Sequence, residues 1–279
     1  MTAEEQLFSD VTTPQGRAGW AAIIADPAAA LIALDFDGVL SPIVADPEQA
    51  YVLPAAVDAM AELGGRIGTL AVITGRPVQA ALRLGGFAGR AGLEKLIILG
   101  QYGVERWDAA TGELTTPEPP AEIQQVRDRL PALLAECGQP DLYVEDKGRA
   151  IGVHTRRASD PQAALDAITG PLLDLADELG LQAEPGRNVV EIRAAGFDKG
   201  SALQGLVAER TAGAVAYAGD DLGDLAAFDT VDRLRAAGTP GLLLCSASDE
   251  QDALRPRADV VCAGPAGIAA FLTHLAGAL

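Results

Sequence analysis

The chain has 279 residues, 39 acidic against 21 basic side chains, a formal charge of −18, two histidines and three widely spaced cysteines, Cys137, Cys245 and Cys262. Such a length buries a core without staples, an acidic surplus excludes nucleic acid and anionic membrane surfaces as partners, and the cysteines fit neither a disulfide framework nor zinc. Two histidines exclude a multi-histidine centre, and with no basic leader the expectation is a cytoplasmic chain whose chemistry rests on carboxylates, lysine and arginine.

Residues 1–19 carry no informative pattern. Short apolar runs of strand length follow at 31–34, 69–73, 96–99, 214–218, 242–245 and 259–262. Continuous apolarity is what a strand covered on both faces needs. Between the first runs, Pro54 opens a helix with Val57, Met60 and Ala61 on one face, and Pro77 opens another with Val78, Ala81, Leu82 and Gly85. After Trp107 the pattern changes. A turn-rich stretch ends in Pro-Glu-Pro-Pro at 117–120, and a helix then aligns Ile123, Val126, Leu130, Leu133, Leu134 and Cys137. Segments 141–147 and 150–156 alternate as half-buried antiparallel strands do, Asp160-Pro161 starts a helical region broken at Gly170-Pro171, and 188–193 alternates again. A helix from Lys199 to Glu209 buries Ala202, Leu203, Leu206 and Val207. The reading is an α/β fold: a Rossmann-like parallel sheet core over 1–106 and 195–279, with an inserted α+β domain at 107–194.

The polar residues of interest stand where apolar runs end. Asp35 and Asp37 follow 31–34, Thr74-Gly75-Arg76 follows 69–73, and Asp220, Asp221 and Asp224 follow 214–218. Ligands of open α/β sheets bind at the carboxyl ends of the strands. Alternation would point Asp35 and Asp37 the same way. If these strands end at one edge, five aspartates converge, and carboxylates within about 4 Å of one another need a cation because each raises the other's pKa. Oxygen donors without His or Cys select Mg²⁺. Each motif also has a plain structural reading: an Asp that caps a turn, a Thr-Gly turn before a helix, a surface Lys199 at a first helical turn. The combination is harder to explain that way.

In order, Asp35-Phe36-Asp37-Gly38, Thr74, Lys199 and Gly219-Asp220-Asp221 with Asp224 resemble the four motifs of the haloacid dehalogenase superfamily. Within it, Ile73-Thr74-Gly75-Arg76, the stretch Gly100-Gln101-Tyr102-Gly103-Val104-Glu105, Glu145-Asp146-Lys147-Gly148, His154-Thr155-Arg156 and Glu191 resemble the trehalose-6-phosphate phosphatase family. The sequence departs from that pattern at Val39, where Thr is usual, at Asp221-Leu222-Gly223-Asp224-Leu225, and at Tyr102, where the family carries His. The resemblance implies a haloacid dehalogenase-like hydrolase fold with 107–194 as its cap domain, hinged near 105–109 and 193–197. It implies an Mg²⁺-dependent phosphatase that hydrolyses trehalose 6-phosphate through an aspartyl-phosphate. Asp35 would be the nucleophile, Asp37 the acid and base, and Thr74 and Lys199 the holders of phosphoryl oxygens. Metal would be bound by Asp35, the Asp37 carbonyl and Asp220, with Asp221 and Asp224 completing or orienting the shell. Arg76, Glu145, Lys147, His154, Arg156, Glu191 and Arg193 would contact the substrate, although from alternation alone the cap face reads as a solvated sheet with cross-strand ion pairs. The partner would be a small sugar phosphate and the chain a monomer. Alternatives are a phosphatase for sucrose 6-phosphate or a glycosyl phosphoglycerate, a receiver-like regulatory domain, or a catalytically silent regulator.

Overall fold

The apolar runs form one eight-stranded sheet. In chain order its strands are β1 (Ala30–Leu34), β2 (Thr69–Ile73), β3 (Ile97–Gly100), β4 (Glu105–Asp108), β5 (Glu113–Thr115), β10 (Ala214–Gly219), β11 (Gly241–Ala247) and β12 (Val260–Ala263), arranged β12-β11-β10-β1-β2-β3-β4-β5. All pairs are parallel except β3–β4 and β4–β5. This computed structural model describes residues 11–44, 46–186, 188–194, 196–247 and 253–279; the expected hinge at 193–197 includes Ala195, which lies outside them, as do residues 1–10. Two compact units divide the chain, one running up to Thr116 and resuming at Asp198, the other Pro117–Phe197.

Strand β1 shows why the runs are continuous. Ile32 and Leu34 pack on one face with Trp20, Met60, Leu63 and Leu272, while Leu31 and Ala33 pack on the other with Leu203, Phe228 and Val231. Helices α1 (Pro14–Ala25), α2 (Pro54–Gly64), α3 (Val78–Gly85) and α8 (Gly264–Ala278) cover the first face, and α6 (Lys199–Arg210) and α7 (Leu225–Ala236) the second. A fully buried Leu or Ile contributes about 2 kcal/mol, so a strand apolar on both faces anchors both layers. Prolines at the first turns of α1 and α2 start these helices where no N–H is needed. No helix among the described residues is long and apolar enough to cross a membrane.

The second unit is a four-stranded antiparallel sheet, β6 (Tyr143–Asp146), β7 (Ala150–His154), β8 (Leu181–Gly186) and β9 (Val189–Ala194), in the order β6-β7-β9-β8. Helices α4 (Ala121–Glu136) and α5 (Pro161–Glu178) pack on one face through Ile123, Val126, Leu130, Ile168 and Leu172 against Ile151, Val153, Val190 and Ile192. Two expectations are corrected. Helix α5 runs through Gly170-Pro171 rather than breaking there. Interior proline costs about 3 kcal/mol, and burial of Ile168, Leu172 and Leu175 on both sides of it offsets that. Residues 107–115, assigned to the insert from sequence, pair as β4–β5 with the edge of the large sheet.

Candidate active site

Three adjacent strands deliver the site. Leu34 lies in register with Ala218 and with Val72, so the chain leaves β1, β10 and β2 side by side, at Asp35, Asp220 and Thr74. The Asp35 amide continues the ladder, donating to Ala218 O at 3.0 Å. Lys199 enters from the first turn of α6, whose start is fixed by a capping box between Asp198 and Ser201.

The Lys199 Nζ lies 2.8 Å from Asp35 Oδ1 and 2.8 Å from Asp224 Oδ1. Asp35, Asp220, Asp224 and Lys199 are each at most 5% exposed. Burial, followed by repulsion from Asp35, Asp224 and Asp221, pushes the Asp220 carboxyl up to about 10. Burial likewise raises Asp35, partly offset by Lys199. Burial opposes the Lys199 charge, yet Asp224 and Asp35 hold its ammonium well above the usual range. The site therefore favours more positive charge than one lysine supplies. Asp35, Asp220 and Asp224 each offer an oxygen within 4.8 Å of the others, a donor set of hard oxygens that fits Mg²⁺. Asp224 is nevertheless occupied with protein. Its Oδ1 accepts from Lys199 and from the Tyr217 hydroxyl at 2.6 Å, and its Oδ2 accepts from the Asp220 and Asp221 amides at 3.0 and 3.3 Å. Those four bonds use the roughly four lone-pair sites of a carboxylate, which leaves Asp35 and Asp220 as the side-chain donors and makes Asp224 the group that orients Lys199.

Asp37 stands apart from this cluster. Strand β1 stops at Leu34, so alternation does not carry to Asp37. Arg76 holds both its carboxylate oxygens, Nε to Oδ2 and Nη2 to Oδ1, each at 2.7 Å, and lies 5.3 Å over the Phe36 ring. Arg76, expected among substrate contacts, is thus engaged with the expected acid. Asp221, expected at the metal, accepts from Gly223 N at 2.9 Å and caps the turn Leu222–Asp224. Gly38 has φ +71°, and a Cβ there would fall 2.0 Å from Asp220 Oδ2, so the close approach of these two loops needs glycine. Ser246, buried at the end of β11, donates to Gly38 O at 2.6 Å.

Thr74 is buried, and its Oγ1 accepts from the Arg76 amide at 3.1 Å. Its loop is laced to the stretch after β3. Gln101 N donates to Arg76 O at 2.9 Å, Tyr102 N to Thr74 O at 3.0 Å, and Val78 N to Glu105 Oε2 at 2.6 Å. Gln101 and Tyr102 both adopt left-handed backbone, φ 47° and 61°, at about 1 kcal/mol each for residues with a Cβ. The Tyr102 phenol lies against Gly75, where a Cβ would meet its Cζ and Oη at 2.9 Å.

In the second unit, Glu145, Gly152, Glu191 and Glu184 stand in cross-strand register on the sheet face opposite the helices. Lys147 pairs with Glu191 Oε2, Glu145 Oε2 accepts from His154 Nε2 at 2.9 Å, and Glu191 Oε1 is buried with no hydrogen-bond partner among the described residues. Arg193, expected among the substrate contacts, is 6% exposed, and its guanidinium donates to Phe197 O and to Glu184 at 2.6 Å, tying the end of the unit to its own sheet. Arg156 lies beyond β7 on an exposed turn. Tyr217, Ser246 and the partner role of Glu105 were not read from sequence. Tyr217 sits inside an apolar run, and only its position two residues before Gly219 hinted at the site.

The trehalose-phosphatase family model matches residues 33–257. A Sinorhizobium fredii protein named "Probable trehalose-phosphate phosphatase" is 32% identical over 239 residues, covering 84% of this chain and 86% of that one. Mycobacterium marinum trehalose-phosphate phosphatase is 29% identical, over 88% of this chain and 61% of the longer relative. Among solved structures, the C-terminal domain of Candida albicans trehalose-6-phosphate phosphatase superposes with a TM-score of 0.75 at 19% identity, covering 95% of this chain and 97% of that domain, which shows a shared fold.

Proposed function

The chain belongs to the trehalose-phosphatase family, with the fold of haloacid dehalogenase-like hydrolases, and on that premise we propose that it releases phosphate from trehalose 6-phosphate in an Mg²⁺-dependent reaction through an aspartyl-phosphate. One observation carries the chemistry: the Lys199 ammonium bridging Asp35 and Asp224 beside Asp220, all buried at the end of β1 and β10. Asp35 attacks phosphorus while the bond to the sugar oxygen breaks, and Asp37 gives its proton to that oxygen. A water then attacks the acyl-phosphate phosphorus, Asp37 takes its proton, and phosphate leaves with Asp35 restored. Thr74 and Lys199 hold the phosphoryl oxygens, stabilising charge in a buried site where such contacts count most. Mg²⁺, held by Asp35, Asp220 and the Asp37 carbonyl, would neutralise charge shared by phosphate and carboxylates. The bidentate Arg76 grip supports a positioning role on Asp37, since the pair must open before the carboxyl can reach a leaving group.

Sugar recognition is assigned to the second unit's sheet. Among the described residues Glu191 keeps a buried oxygen without a partner, and buried polar atoms are satisfied in the overwhelming majority of cases. A sugar hydroxyl donated to Glu191, with Lys147, Glu145 and His154 around it, supplies that partner. A cytoplasmic setting accords with this soluble substrate. The test is phosphate release from a panel of trehalose 6-phosphate, sucrose 6-phosphate, glucosyl phosphoglycerate and glucose 6-phosphate, with Mg²⁺ and with EDTA. Preference for trehalose 6-phosphate is expected; release from another sugar alone would move the assignment to that substrate, and no release from any would sink it.

A further inference from the structure

Tyr217 is fully buried in the middle of β10, its ring edge-on to Phe228 at 6.2 Å and 85°. Ring packing alone would be met by phenylalanine. The hydroxyl reaches past the strand end to Asp224 Oδ1, the same oxygen that receives Lys199. Lys199 has a flexible four-carbon stem, and two anchors define its ammonium, Asp35 and Asp224, each at 2.8 Å. The Asp224 carboxylate can turn about its terminal torsion, which is broad for aspartate. Its Oδ2 is fixed by two main-chain amides, and its Oδ1 by Tyr217 and Lys199. Removing the phenol oxygen leaves Lys199 as the partner of Oδ1 among the described residues, with the two amides on Oδ2 as the carboxylate's remaining hold.

Resting on the phosphatase reading above, we propose that Tyr217 is a positioning residue for the reaction: its hydroxyl fixes Asp224 so that Lys199 is aimed at the phosphoryl group on Asp35. The phenol is not a proton donor to substrate and touches no reacting atom. It acts through Asp224, and three consequences follow. Loss of the hydroxyl should lower turnover more than substrate affinity, because Lys199 counts most where charge develops. It should leave the metal requirement in place, because Asp35 and Asp220 are untouched. And it should add little once Asp224 can no longer serve as the acceptor, since residues acting in one chain of contacts are not additive.

The experiment compares wild type, Tyr217→Phe, Asp224→Asn and the double variant, each folded by circular dichroism and thermal melting, with both p-nitrophenyl phosphate and trehalose 6-phosphate. Tyr217→Phe is expected to lower kcat about tenfold with KM and the half-saturating Mg²⁺ concentration within about twofold. In the Asp224→Asn background the same change should cost less than about twofold. Unchanged kcat, a loss confined to KM, a shifted Mg²⁺ requirement, or losses that multiply in the double variant would each overturn the assignment. Because p-nitrophenyl phosphate needs no sugar contacts, a wild type that cleaves it and not trehalose 6-phosphate would overturn the substrate reading while the Tyr217 comparison still stands or falls on its own.

Discussion

Asp220→Asn should stabilise the metal-free protein. Asp220 is buried beside Asp35 and Asp224, and its carboxyl is pushed from the ordinary 3.8 up to about 10. Between those values the folded chain keeps a proton that the unfolded chain releases, so this group's contribution to stability is full below pH 4 and is lost as pH rises toward 10. At pH 7 the difference is about 4 kcal/mol at 1.36 kcal/mol per pH unit. Asparagine matches the shape of the protonated acid and carries none of that cost. In a chain this long, 4 kcal/mol corresponds to a rise in melting temperature on the order of 10 °C. The assay is thermal melting in EDTA from pH 5 to 8, repeated with Mg²⁺. Wild type should lose stability as pH rises and regain it with Mg²⁺, by the ordinary linkage of a ligand to the folded state. Asp220→Asn should melt higher in EDTA, with a flatter pH profile and little response to Mg²⁺. A wild-type melting temperature independent of pH in EDTA, or a variant melting at or below wild type there, would refute the idea that crowded carboxylates are a stored cost relieved by the cation.

Three further outcomes are expected. Asp35→Asn should lower phosphate release at least about a thousandfold at unchanged fold, and acid-quench trapping should find no phosphorylated protein; residual turnover near wild type would remove Asp35 as nucleophile. Glu191→Ala should raise KM for trehalose 6-phosphate about tenfold while p-nitrophenyl phosphate hydrolysis stays within about twofold, whereas equal losses on both would assign Glu191 a structural part. Arg76→Lys keeps the charge and loses the two-pronged grip on Asp37, so kcat should fall about tenfold in steady-state kinetics; a variant as fast as wild type would free Arg76 of any positioning part.

The large sheet was legible because β1, β2 and β10 are covered on both faces, and double coverage writes itself as unbroken apolar runs. Strand β8 was missed because it ends in Pro185-Gly186, tolerable only where a strand lies at a sheet edge, as it does here. The break expected at Pro171 failed for the opposite reason: local propensity yielded to the apolar face on either side. Of the site, the acids and Lys199 were legible because charged residues interrupt or follow strands where none is needed for packing. Tyr217 was hidden by its own burial, as an aromatic within an apolar run reads as core. The bond from Arg193 to Phe197 O was not legible, because its acceptor is a main-chain carbonyl and no spacing rule reports such a bond.

Gly75 and Tyr102 constrain each other across the loop that carries Thr74. A methyl at 75 would run into the phenol, and the phenol stands where it does because two successive residues accept a left-handed backbone to reach the loop's carbonyls. Positions 75 and 102 therefore form one heritable unit: a side chain at 75 is selected against while the phenol stands at 102, so the order in which the two can change runs through a smaller residue at 102 first. In a library that varies both at once, survivors should be correlated pairs, and the loop's tolerance to change should be readable only two residues at a time.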